Sequence, residues 1–90
     1  MQRYFFHVDD AASLRDQEGT LLSGDEAARI EAARLLGQLV NEKPGEVWRD
    51  DLRITVTDEA GRILFALDVA AVVAPPTDFP PGRSTGREEC

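Results

Sequence analysis

The chain has little of what usually does chemistry. In 90 residues it holds one histidine, His7, and one each of tryptophan, tyrosine and cysteine. Cys90 is the last residue and has no second cysteine to join, which excludes an internal disulfide, a CxxC pair and a thiolate zinc cluster. Glu88, Glu89 and the terminal carboxylate disfavour its thiolate, so it does not read as a nucleophile. No run of ~18 apolar residues is present, so no membrane-spanning helix is expected. The N-terminus lacks a basic stretch leading into an apolar segment and a cleavage site, so no secretory signal is expected and the cytoplasm is the default location. Basic residues are outnumbered, 10 against 17 acidic ones, for a net charge of −7. Nucleic acids and anionic membranes are held by Lys and Arg, so neither is an expected partner.

The remaining composition, 42% hydrophobic and 30% charged, is that of one globular domain. A chain this short buries only ~60–65% of its unfolded surface, a thin margin that oligomerisation relieves. The first segment, YFFHVDD, alternates: Tyr4, Phe6 and Val8 against Phe5, His7 and Asp9. That is strand periodicity, and it predicts a strand over 3–9. A polar stretch, DDAASLRDQEG, ends in Gly19 and leads to a weak strand at Thr20–Leu22.

Ser23-Gly24-Asp25-Glu26 fits a capping box, and Ala28, Ala32, Leu35, Leu36 and Leu39 recur at helical spacing up to the Pro44-Gly45 break. Leu52–Thr57 alternates again, Asp58–Gly61 reads as a hairpin loop, and Arg62–Val73 as the last strand. Beyond Ala74 the Pro- and Gly-rich segment reads as a flexible tail over 74–90. The expected fold is α+β over 1–73: a small antiparallel or mixed sheet of three to four strands in the order β, weak β, α, β, β, with one helix on one face. Its core would hold Tyr4, Phe6, Val8, the helix stripe, Leu52, Ile54, Val56, Ile63, Phe65 and Leu67, with Trp48 closing one end.

RYFFHVDD at the start, DQEGTLL before the helix, AARIEAARLL within it, Trp48, and ITVTDEAGRILFALDV in the hairpin occur in that order. Together they resemble a family of small, uncharacterised alphaproteobacterial proteins classed as a domain of unknown function. The similarity spans about residues 3–69. It implies a short stand-alone cytoplasmic bacterial protein and carries over no catalytic residue, cofactor or substrate. A weaker, topology-level similarity is to small antitoxins of the HicB type, which also begin with a strand, an acidic loop and a helix.

Candidate sites are few. One histidine supplies at most one nitrogen ligand, and the Asp9, Asp10, Asp16, Glu18 spacing does not match an EF-hand loop. Ser13, Ser23 and Ser84 lie in no nucleophile motif that His7 could serve. The sequence therefore assigns no catalytic residue, no cofactor and no metal, and points to a non-enzymatic module that binds a protein, itself included as a homodimer. Two surfaces are candidates. One is the outer sheet face, with Phe5, His7, Arg53 and Leu64 joined by Thr55, Ala66 and Val72. The other is the outer helix side with Ile30, Ala33 and Gly37, whose small residues permit close approach. Alternative readings are a ligand- or cation-binding domain using the acidic loop 9–18, or an antitoxin-like inhibitor.

Overall fold

The computed structural model describes residues 1–73; the expected tail over 74–90, with Ser84 and Cys90, lies outside the described residues. Five strands form one antiparallel sheet: β1 Gln2–Asp9, β2 Ser13–Leu14, β3 Thr20–Leu22, β4 Leu52–Thr57 and β5 Ile63–Val69. The helix α1, Asp25–Glu42, and a 3-10 turn at Glu46–Trp48 lie between β3 and β4. β1 pairs with β4 on one side and with both β2 and β3 on the other, and β5 closes the hairpin beyond β4. The fold is a small α+β domain with an open sheet.

Alternation located β1, β4 and the middle of β5 because each has one covered face. Tyr4, Phe6, Leu52, Ile54 and Val56 are buried beneath α1, and Val8, Phe65, Leu67 and Val69 pack around them. Ala28 and Ala32, one helical turn apart, are almost fully covered, and their short side chains let the helix lie close to the sheet. Leu36 extends the buried stripe, with Leu35, Leu39 and Val40 at its flanks.

Five expectations need correction. β2 is a fifth strand, two residues long and so without a readable period. The last strand stops at Val69, not Val73, because Val69 pairs with Leu52, where β4 begins. The Ser23–Glu26 capping box does not form: Gly24 is the N-cap and no side chain caps it, which leaves Ser23 outside the helix and Glu26 one position too early. Trp48 does not close the core but is 63% exposed, since the tight 3-10 turn directs Val47 inward instead. Ile63 is 70% exposed, standing at the hairpin end beyond the buried cluster.

Candidate functional site

The acidic loop gives Asp16 a structural job. β2 pairs with β1 at Val8 and Asp9, and β3 pairs with it at Gln2 to Tyr4, which leaves Phe5 to His7 without a strand on that side. Asp16 fills the gap. Its Oδ2 accepts the Phe6 N–H at 3.1 Å, and its Oδ1 accepts the amides of Glu18 and Gly19, each at 3.1 Å. One carboxylate thus replaces a strand carbonyl and folds its own loop. Partial burial pushes this carboxyl up, but the amides of Gly19, Phe6 and Glu18, with His7 beside them, outweigh it and hold the group below the ordinary carboxylate range. Gly19 has φ +73°, and a Cβ there would meet the Tyr4 carbonyl and the Phe5 ring at 3.0 Å and Arg3 Cγ at 2.8 Å.

His7 is tied into the same arrangement. Its Nδ1 accepts the Asp16 backbone N–H at 3.1 Å. A backbone amide can only donate, so the ring proton sits on Nε2, which lies 3.0 Å from Thr57 Oγ1 and donates to it. The Phe5 ring stacks parallel to the imidazole, with centroids 6.5 Å apart. Both ring nitrogens are therefore used within the chain, and Phe5 and His7 are half-buried. YFFHVDD is thus a strand whose outer side chains pin a loop.

Further along the outer face, Ser13, Asp9, Arg53 and Asp68 form a row across four strands. Ser13 Oγ donates to Asp9 at 2.7 Å, and Arg53 donates to both oxygens of Asp68 at 2.6 and 2.9 Å. The Ser13 hydroxyl is thus engaged with Asp9. Asp10 accepts the Ala12 amide, closing the turn into β2. In the hairpin, Asp58 accepts the amides of Ala60 and Arg62, and Gly61 takes φ +84°. Among the described residues no group of three or more His, Cys, Asp or Glu side chains is placed to hold a metal ion. A cavity of about 40 Å³ between the end of α1 and the 3-10 turn, lined by Leu39, Lys43, Val47 and Leu52, is of the size that holds a water.

The outer-face candidates are brought together in part. Phe5, His7, Thr55 and Ala66 are neighbours, Arg53 joins the polar row, and Leu64 sits at a bulge in β5 and is 38% exposed. Val72 lies beyond β5, exposed. Ile30, Ala33 and Gly37 are exposed on α1, in the other layer, so they form a separate surface. The feature that sequence reasoning passed over is the edge of β5. Among the described residues its outer side has no strand partner. The signal was present in ILFALDV, a strand with one charge and neither Lys nor Pro.

The elements that these interactions hold together, β1 through β5, coincide with a known sequence unit. Residues 3–70 match the family described as a domain of unknown function, DUF6894. The chain belongs to this family. No curated protein and no solved structure matches it. Within the matched span, Asp16-x-Glu18-Gly19 and Asp58 to Arg62 build two tight loops. No helix among the described residues is long and apolar enough to cross a membrane.

Proposed function

We propose that the domain works without catalysis, by holding another polypeptide along the outer edge of β5. The observation that carries this reading is the edge itself: seven residues, Ile63–Val69, mostly apolar, at the rim of a sheet that is open there among the described residues, with Ile63 and Leu64 exposed. Extended backbone presented at a rim is completed by a further strand, whose main-chain groups supply the affinity. Two side chains that chemistry could draw on are engaged within the fold. Asp16 serves three backbone amides, and both nitrogens of His7 have partners.

The test compares two tagged baits in lysate of the source cells: the natural chain and a variant carrying Leu64→Lys with Ala66→Lys. Lysines on an edge strand block strand addition. The natural bait should retain a polypeptide in stoichiometric amount that the variant loses. Equal capture by both baits, or capture by neither, overturns the reading.

A further inference from the structure

The neutral form of His7 is built into the fold. Its Nδ1 accepts the Asp16 backbone N–H at 3.1 Å, so the lone pair that would take up a proton is already in use. Nε2, 3.0 Å from Thr57 Oγ1, carries the ring's one proton. Protonation turns both nitrogens of an imidazole into donors. A proton on Nδ1 would then point at the Asp16 N–H, donor against donor. Ring protonation and this bond exclude one another. The loop's other ties lack that property. The Asp16 carboxylate accepts the amides of Phe6, Glu18 and Gly19, and Arg3 donates to the Glu18 carbonyl at 2.8 Å. These persist for as long as the carboxylate is charged.

We infer that His7 is a proton-operated latch on the loop Arg15–Gly19, closed while the ring is neutral and released at the Asp16 backbone when the ring is charged. Histidine is the side chain whose ordinary charge change falls between about pH 5 and pH 8, so such a latch answers mild acid where carboxylates do not. The other charged groups around the ring are already engaged or stand further along the sheet. On β1, Arg3 and Asp9 share its face; Arg3 turns to the Glu18 carbonyl and Glu59, and Asp9 accepts from Ser13. β2 and β3 bring no charge. The loop itself brings Arg15, Asp16 and Glu18. β4 faces the ring with Thr55 and Thr57, and its Arg53 is paired with Asp68 of β5. α1 lies across the other face, over the buried cluster. A charged ring and the Asp16 carboxylate attract, so the loop stays attached there and at Arg3 while the Asp16 amide turns away. The change is local. It frees the Asp16 end of the stretch that stands in for a strand beside Phe5 to His7, and it is independent of what the β5 rim holds.

The experiment is NMR of the natural full chain, titrated from about pH 7.5 to about pH 5.5, above the range in which carboxylates ordinarily take up protons. The His7 ring signals should pass from the Nε2–H tautomer to the doubly protonated form. The Asp16 amide shift should move with the same midpoint. Its exchange, corrected for the intrinsic effect of pH, should quicken about tenfold, as loss of one hydrogen bond gives. The amides of Ala60 and Arg62 are the internal control, since Asp58 holds them in a tight loop without a histidine, and they should stay in place. His7→Asn puts a carbonyl oxygen where Nδ1 stood, an acceptor that does not titrate. In that variant the Asp16 amide should keep its bonded shift down to about pH 5.5. A ring still neutral at about pH 5.5 overturns the assignment, as does an Asp16 amide that ignores a charged ring. Control amides that move as far, or an Asn variant that follows the natural titration, overturn it equally. If His7→Asn does not fold, the coincidence of the two midpoints in the natural chain decides alone.

Discussion

Asp16 and Gly19 carry more of the fold than their exposure suggests. Asp16→Ala leaves the amides of Phe6, Glu18 and Gly19 without their acceptor. An unmade bond to a charged acceptor costs roughly 1–3 kcal/mol, and since water reaches part of this loop the total expected is about 2–3 kcal/mol. Urea unfolding measures it, and a loss under ~0.5 kcal/mol would contradict the role assigned. Gly19→Ala combines a left-handed φ with a Cβ against the Tyr4 carbonyl, so about 2–3 kcal/mol is expected. Gly61→Ala shares the positive φ but meets open space and should cost only about 1 kcal/mol. The ordering of the two glycine variants is the check. At His7 the expected outcome is a single tautomer, the proton on Nε2, read from long-range nitrogen–proton correlations in NMR.

At the scale of elements, α1 is held by its contact with the sheet. Ala32→Leu forces a larger side chain under the helix and should cost about 1–3 kcal/mol in chemical denaturation. Ala33→Leu, one position on and exposed, should stay within about 0.5 kcal/mol of the natural chain. This contrast was legible from the sequence, because Ala28, Ala32, Leu35, Leu36 and Leu39 repeat at 3.6-residue spacing and only one side of such a repeat can be buried. β1 and β4 were legible in the same way. β2 was not, because two residues have no period. The loss of the capping box was also hidden: Ser23 and Glu26 fit it in composition, and only the backbone decides that the helix begins one residue later. The Asp16 loop escaped for a different reason. Its partners Phe6 and His7 lie ten and nine residues away, so the D-x-E-G spelling recorded a loop without saying what the aspartate held.

For the molecule as a whole, the shifted groups define a pH window. Asp16, Asp58 and Asp68 all titrate below ordinary carboxylates in the folded chain. On acidification the unfolded chain therefore takes up these protons first. Their contribution is complete above the ordinary carboxylate value and is lost as pH falls through the folded ones. Tyr4 has the opposite sign. Burial, then its 2.8 Å bond to Asp25 and that residue's charge, raise the phenol above 10.0. Its contribution is complete below that value and is lost as pH rises through the folded one. Thermal melts from about pH 3 to about pH 11 should show a neutral plateau falling at both ends, with Asp16→Asn flattening the acid limb. An unchanged acid limb in that variant would remove Asp16 from the explanation.

The unequal rims of the sheet have a consequence best put in the language of polymer chemistry. A strand-pairing unit with two usable ends is bifunctional, and units of that kind couple onward into fibres. On the proposed function, β5 is the coupling end among the described residues, and the split rim of β2 and β3, plugged by the Asp16 loop, is a chain terminator. A monofunctional unit reacts once and stops. On that reading, opening the Asp16 loop would turn a unit that couples once into one that can polymerise.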